Sequence, residues 1–218
     1  MSSNAALLID KIYECVRNDI IAGKKTPGEK LIERVLKQEF RVSNTPIREA
    51  MRRLEAEGLL FSVPRRGTFV SKLSIEEVKE IYEIRAVLEG FSARMAAVNI
   101  SRDDADYLRK LQKELELSAR TRDHDSWHDK NGEFHFYLTK LSGNSNLHNL
   151  VVNLKKRVFR YHKFSTASYE TMNRYAAQHR KIVDAVSEGD GKRAEKEMIA
   201  HLTLVKVEIL RFLKDFPI

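Results

Sequence analysis

The chain has 218 residues, of which 42% are hydrophobic and 32% charged, and its formal net charge is +8 at pH 7. This length accommodates two modest domains but not three of ordinary size. A single cysteine excludes an intrachain disulfide, and because neither an 18-residue apolar run nor a secretory signal is present we expect a cytoplasmic protein without a membrane partner.

The positive charge is concentrated towards the N-terminus. Residues 1–73 contain 14 Lys and Arg against 9 Asp and Glu, whereas the remaining 145 residues contain 25 against 22. A basic N-terminal segment favours a polyanionic partner, of which nucleic acid is one.

Three short helices are predicted before residue 58. Leu8, Ile12 and Val16 recur at the spacing of one helical face, and Gly23 marks the end of that helix. Gly58 marks the end of the third helix in the same way. The predicted helices are 7–21, 31–40 and 45–57.

A hairpin is predicted after these helices. Residues 59–63 and 68–70 have strand composition, and the sequence Pro-Arg-Arg-Gly at 64–67 forms the turn between them. Three helices followed by a basic hairpin are typical of a winged helix-turn-helix, in which the third helix enters the major groove of DNA and the hairpin, or wing, contacts the backbone or the minor groove. We assign residues 1–73 to this domain.

The third helix has one basic and one apolar face. Arg48 and Arg52 are four residues apart and share a face, whereas Ala50, Met51 and Leu54 lie on the packing side. Arg48 could pair with guanine or bind a phosphate. The alternative is a charged face that only solvent contacts.

Only helices are predicted after residue 73. Their apolar periodicity and short polar joints indicate one bundle, so the expected fold class is mostly α, with the winged helix-turn-helix followed by an all-helical domain at 74–218. The six predicted helices are 74–98, 102–120, 124–141, 145–164, 171–187 and 190–216.

Three histidines and an asparagine of the bundle form a candidate metal site. Asn131 and His135 are four residues apart on one helical face, and His179 and His201 have apolar neighbours on the last two helices. Three imidazoles and one oxygen donor suit Zn, Ni or a similar divalent ion. The alternative is polar packing in the core without a metal.

Arg85 is flanked by apolar residues at helical spacing in the first helix of the bundle. A buried arginine requires an anionic partner, which is either Glu89 one turn away or an external anion. His124 and His128 have acidic neighbours, and we expect both to be exposed.

The order of motifs in residues 7–72 closely resembles the DNA-binding domain of the GntR family of regulators. The motifs are PGEKL at 27–31, SNTPIREA at 43–50, LEAEGLL at 54–60 and PRRGTFV at 64–70. The resemblance implies DNA contacts by Arg34, Ser43, Asn44, Thr45, Arg48 and Gly67. We add three further residues to these expected DNA contacts because of their charge and position: Arg52 and the wing residues Arg65 and Arg66. Family members usually have arginine in place of Asn44, and since asparagine suits adenine rather than guanine we expect a different half-site.

Residues 76–215 resemble the FCD effector domain of the FadR subfamily, and six helices indicate its VanR-like branch. The resemblance is carried by NGEFH at 131–135, by SGN at 142–144, and by the segment from His179 to His201. It implies a divalent ion held by Asn131, His135, His179 and His201, and a carboxylate effector bound by Arg85. Metal-binding members usually have aspartate where this chain has Asn131. The neutral amide of asparagine is a weaker metal ligand than a carboxylate.

We therefore expect a ligand-responsive transcriptional repressor that binds a pseudo-palindromic operator as a homodimer and is released by a small carboxylate metabolite. A helical metalloenzyme is one alternative, but it would need a general base beside the metal, and Glu133 lies on another face of its helix. An architectural DNA-binding protein is the other, but it would not need a helical domain with buried histidines.

Overall fold

A computed structural model describes residues 3–21, 24–71, 74–165 and 168–215. The chain divides into two compact units, of which the first ends at Ser74 and the second begins at Ile75.

The described residues of the first unit form three helices and three strands. The helices are α1 (Ser3–Ile21), α2 (Glu33–Phe40) and α3 (Asn44–Ala56). The strands are β1 (Lys30–Leu31), β2 (Leu60–Val63) and β3 (Gly67–Val70). Arg41 adopts a left-handed conformation that ends α2, so only a short turn separates α2 from α3.

The sheet has the order β1-β3-β2, and both pairs are antiparallel. Leu60 pairs with Val70 in the hairpin, and Lys30 pairs with Phe69 on the other side of β3. The sequence analysis placed Leu31 at the start of a helix, which was wrong. Two residues are too short to show an alternating pattern, and the pairing of β1 depends on β3, almost 40 residues away.

The core of the first unit lies between α1, α3 and the sheet. Ile12 and Val16 of α1 are buried against α3, where Ile47 and Leu54 are also buried, and Leu60 closes the core from the sheet side. Because this apolar side of α3 faces inward, its arginine side faces solvent.

The described residues of the second unit form six helices. They are α4 (Ile75–Asn99), α5 (Arg102–Thr121), α6 (His124–Leu141), α7 (Ser145–Ser165), α8 (Tyr169–Ser187) and α9 (Gly191–Asp215). These bounds agree with the sequence-based prediction to within two residues. α8 begins earlier than predicted because Ser168 caps it, accepting a hydrogen bond from the backbone N–H of Thr171.

α4 packs along α9 and also contacts α6, α7 and α8, while α5 packs on α6 and α8. The large side chains of Tyr82, Trp127, Phe134 and Tyr175 are fully buried between these helices. α4 is therefore the central helix, and it brings its own polar residues next to those of α6, α7 and α8. No helix among the described residues has the length and apolarity needed to cross a membrane.

Candidate DNA-binding surface and metal centre

The N-terminus of α3 presents polar groups to solvent. Ser43 occupies the N-cap position, and its side chain makes no capping hydrogen bond within the described chain. Ser43, Asn44 and Thr45 are all exposed. The hydroxyl, amide and backbone N–H groups at this end of the helix can therefore donate to phosphates or base edges.

The arginines of the first unit lie on its exposed surface. Arg48 donates from Nε to Glu33 Oε2 at 3.0 Å, although its side chain is 63% exposed. Arg52 is exposed one turn further along α3, and Arg34 is exposed on α2. The contact with Glu33 holds Arg48 in a defined orientation and leaves its terminal N–H groups accessible.

The tip of the wing has a backbone conformation that places two arginines outward. The N–H of Arg66 donates to the carbonyl of Val63 at 3.0 Å, and Arg65 has a positive φ of 62°. Gly67 has a φ of 109°, and a Cβ atom there would lie 2.8 Å from Cε of Lys30. Glycine is therefore required at this position, while Arg65 and Arg66 are exposed.

The structure brings His135, His179 and His201 together in the core of the second unit. All three are buried, and one ring nitrogen from each lies within 4.8 Å of the others. The Nε2 atoms of His179 and His201 are 3.1 Å apart. Two imidazole nitrogens at this separation share either a proton or, with metal–nitrogen distances of about 2.0–2.1 Å, a metal ion.

Two of these rings are oriented by neighbouring side chains. His135 Nδ1 lies 2.6 Å from Glu89 Oε2, and His201 Nδ1 lies 3.1 Å from Gln178 Oε1. Because both oxygens accept a hydrogen bond, each ring is protonated at Nδ1 and leaves the Nε2 lone pair for a ligand. This arrangement is typical of metal-binding histidines.

Burial keeps His135 and His179 neutral. It lowers the pKa of His135 to about 4, with a further decrease from the charge of Lys155, and it lowers the pKa of His179 well below the ordinary value. Neutral imidazole is the form that binds metals, so these two histidines are in their ligating state at physiological pH.

Asn131 lies one turn before His135 on α6 and is also buried. Its Oδ1 atom has no hydrogen-bond partner among the residues that the structure describes. An unpaired buried amide oxygen is costly unless a ligand satisfies it. Three neutral imidazoles and this oxygen therefore fit the divalent ion that the FCD resemblance implies.

Glu89 connects Arg85 to the histidine cluster. Arg85 is buried and donates from Nε to Glu89 Oε1 at 2.7 Å, while the other oxygen of Glu89 binds His135. Burial opposes ionisation of Glu89, but the charge of Arg85 and the hydrogen bond from His135 hold its pKa well below the usual range. The sequence analysis left two partners open for Arg85, Glu89 or an external anion. The structure shows the contact with Glu89.

A small cavity of about 50 Å³ lies beside Arg85 and Asn131. Arg85 and Asn131 line it together with Tyr82, His128 and Lys155. The expectation that His128 is exposed was wrong, because it is buried at 7% exposure on the inner face of α6, whereas His124 is exposed as expected.

Sequence reasoning did not identify the roles of Glu89 or Lys155. Glu89 was considered only as a partner of Arg85, and its contact with His135 joins α4 to α6. Lys155 has the same sequence signature as any surface lysine of α7. Neither role has a local signal, since both depend on how the helices pack.

Among the described residues, the two carboxylates nearest to the role of a general base, Glu133 and Glu89, both have hydrogen-bond partners. Glu133 accepts hydrogen bonds from Tyr107 and Lys130 on the side of α5. Glu89, the carboxylate beside His135, is held by two partners.

Comparison with known families accounts for both units. The model of bacterial regulatory proteins of the gntR family matches residues 8–70, and the FCD domain model matches residues 80–204. The chain is 30% identical to the uncharacterized HTH-type transcriptional regulator YdhC of Bacillus subtilis (strain 168), over 88% of this chain and 86% of YdhC. It is 29% identical to the HTH-type transcriptional repressor RspR of Escherichia coli (strain K12), over 88% of this chain and 84% of RspR.

Solved structures share the fold. E. coli McbR/YncC has a TM-score of 0.78 at 20% identity and covers 97% of this chain and 98% of its own. The metal-free FCD domain of TM0439 has a TM-score of 0.56 at 16% identity and covers 67% of this chain and 100% of its own.

A winged helix-turn-helix followed by a helical domain with a buried histidine cluster and a cavity defines a ligand-responsive, DNA-binding transcriptional regulator. The chain belongs to the GntR family, and its second domain is an FCD domain.

Proposed function

We propose that this regulator is a repressor, that residues 74–218 hold one divalent ion and bind a small carboxylate, and that this ligand releases residues 1–73 from the operator. The observation that carries the proposal is the buried cluster of His135, His179 and His201, because neutral imidazoles oriented by outer partners are suited to a metal. RspR, a relative at 29% identity, is a repressor, which supports the direction of the response.

The ion would be held by His135, His179 and His201 with the amide oxygen of Asn131, and Zn or Ni are suitable. When bound, it supplies positive charge and open positions for an anionic oxygen. The protein's part is to keep the imidazoles neutral and oriented, through burial and through Glu89 and Gln178.

Arg85 would bind the carboxylate of the effector. Its Nε is bonded to Glu89, and a guanidinium has further N–H donors that can meet a carboxylate in the adjacent cavity. Since Glu89 binds both Arg85 and His135, one side chain would position the effector-binding group and a metal ligand together.

Exposed residues of α2, α3 and the wing would form the DNA-binding surface. Arg48 and Asn44 would contact base edges, and Asn44 would favour adenine. Glu33 would orient Arg48 through the 3.0 Å hydrogen bond. The other proposed DNA contacts are Arg34, Ser43, Thr45, Arg52, Arg65, Arg66 and Gly67.

A second copy of the chain would pack on an apolar stripe of α4. Ile84, Val87, Phe91 and Val98 are 42–69% exposed, and their spacing of three, four and seven residues places them along one side of the helix. Isologous packing of this stripe would give a twofold dimer, which matches a pseudo-palindromic operator.

Native mass spectrometry of the purified full chain, combined with metal analysis, tests this proposal. We expect a dimer with one divalent ion per chain, and we expect chelation with EDTA to remove the ion and lower the melting temperature. A monomer, or a chain that stays free of metal after incubation with zinc, would contradict it.

A further inference from the structure

Lys30 is a charged residue at the base of the wing that the proposed DNA-binding surface does not include. It is exposed in β1, where it pairs with Phe69 of β3. Its Nζ atom is 6.0 Å from the centroid of the Phe69 ring, and a Cβ atom at Gly67 would lie 2.8 Å from its Cε and 3.5 Å from its Nζ. The side chain therefore runs along β3 towards the turn, and its ammonium group lies beside the residue that follows Arg65 and Arg66.

Lys30 lies on the outer face of the small sheet. Residues that pair directly share a face, so Lys30, Phe69 and Phe61 form one row across the three strands. The rings of Phe61 and Phe69 stack with their centroids 5.6 Å apart, and Phe61 is 44% exposed. Ser62 points to the opposite face, where its hydroxyl donates to Glu55. The row is therefore turned away from the core and from that carboxylate.

The charge of Lys30 is held in place without being neutralised. Among the residues that the structure describes, its ammonium group has no carboxylate partner, and the adjacent Glu29 accepts from the backbone N–H of Thr26 at 2.8 Å. The alkyl stem lies between the ring of Phe69 and the backbone of Gly67, so little side-chain entropy remains to be lost when an anion binds. An oriented, exposed ammonium group beside two arginines suits an external polyanion.

We propose that Lys30 binds a phosphate of the DNA backbone beside the wing, and that Gly67 leaves the space through which its side chain reaches that phosphate. This inference rests on the proposed DNA-binding surface and adds to it a residue from β1. An ammonium group is a compact charge that suits phosphate oxygens, and phosphate contacts fix the position of a protein on DNA without reading its sequence. Lys30 would therefore strengthen binding to all DNA and would not contribute to base preference.

Salt titrations of DNA binding by the full chain test this role. A fluorescein-labelled duplex of random sequence is a sufficient probe, because a phosphate contact does not depend on the bases. We expect Lys30→Met to make the slope of log K against log salt concentration shallower by about 0.9 for each DNA-bound protomer, which is on the order of a tenfold loss per contact at about 0.1 M salt.

Two further variants separate the charge from the packing. Methionine keeps an apolar stem over Phe69, and Lys30→Arg keeps the charge and should retain the wild-type slope. Lys181→Met removes the same charge from an exposed position of α8 in the second unit, and it should leave the slope unchanged.

The outcomes distinguish this inference from the surface on which it rests. If the slope of Lys30→Met equals that of the wild type or of Lys181→Met, the phosphate contact is overturned, and a lower melting temperature with that slope would assign Lys30 to packing on Phe69 alone. A shallower slope in Arg65→Gly together with an unchanged slope in Lys30→Met would remove Lys30 and leave the proposed surface standing. A wild type that does not bind the duplex would contradict both.

Discussion

At the scale of single residues, Glu89 links Arg85 of its own helix to His135 of α6. It is 1% exposed and accepts from Arg85 Nε and His135 Nδ1 with different oxygens. A carboxylate in this position can orient a histidine and raise its basicity as a ligand.

Glu89→Gln should lower zinc affinity by about 10- to 100-fold, the usual effect of removing an outer-shell partner. It should also destabilise the protein, because Arg85 would lose its buried counterion. Competition with a chromophoric chelator measures the zinc affinity. Glu133→Gln, on α6 but bonded to Tyr107 and Lys130, is the control, and equal zinc affinity in both variants would contradict the role of Glu89.

The pH dependence of stability follows from His135. Its pKa is about 4 in the folded protein, compared with about 6.5 in an unfolded chain. Between these values the unfolded state binds a proton that the folded state does not, so the free energy of unfolding falls as pH decreases from 6.5 to 4, by on the order of 3 kcal/mol. Urea titrations of the metal-free protein measure this fall. A flat curve in the wild type would contradict the lowered pKa of His135.

The sequence predicted that His135, His179 and His201 would come together, but not what surrounds them. The four-residue spacing of Asn131 and His135 identifies a shared face, and apolar neighbours identify His179 and His201 as inward-facing. Lys155 and His128 have no such signal, because acidic or basic neighbours in sequence do not reveal which face of a helix another helix covers.

At the scale of elements, α3 and the wing present their arginines to DNA in different ways. α3 presents Arg48, oriented by Glu33, from a helix packed firmly on α1. The wing presents Arg65 and Arg66 from a turn whose geometry depends on Gly67.

Arg48→Ala should cost on the order of 1–3 kcal/mol of operator binding and should relax base preference. Fluorescence anisotropy with operator and random DNA measures the difference between the two. Equal losses on both DNAs would show that Arg48 contacts only phosphate.

Arg65→Gly should weaken binding to all DNA sequences and reduce the salt slope by about one, the signature of a lost phosphate contact. Glycine is the appropriate replacement because Arg65 has a positive φ, so the substitution removes the charge without adding backbone strain. Salt titrations of binding provide the slope, and a loss confined to the operator would contradict a phosphate contact.

Most helices were predictable from sequence because they are long, and their ends carry local signals such as Ser101, which caps α5 with a capping box. β1 was not predictable, since only the distant β3 gives Lys30 and Leu31 a strand conformation. The packing of α4 on α9 could not be predicted from the sequence either. Because α4 has apolar residues on several faces, its pattern does not indicate which helix covers which face.

The exposed stripe of α4 provides a test at this scale. Val87→Asp should convert the dimer to monomers, since a charge would lie in the centre of the proposed apolar contact. Leu117→Asp changes a comparably exposed apolar residue of α5 and should leave the dimer intact. Sedimentation equilibrium distinguishes the two, and a dimer that survives Val87→Asp would place the interface elsewhere.

At the scale of the whole molecule, the basic surface and the histidine cluster belong to different units of one chain. A metabolite-controlled regulator requires that a ligand bound in the second unit change the affinity of the first for DNA. By thermodynamic linkage, the DNA must then weaken ligand binding to the same extent.

The central claim is that the histidine centre mediates this response. Operator binding of the zinc-loaded wild type and of His179→Ala, measured by anisotropy while a small carboxylate such as acetate is added, tests it most directly. The account predicts that acetate weakens operator binding of the wild type at least about fivefold, within the usual range of allosteric coupling, and that His179→Ala loses both the ion and the response while still binding the operator. A wild-type protein that contains no divalent ion and yet responds to acetate would contradict it, because the histidines would then be polar core packing alone.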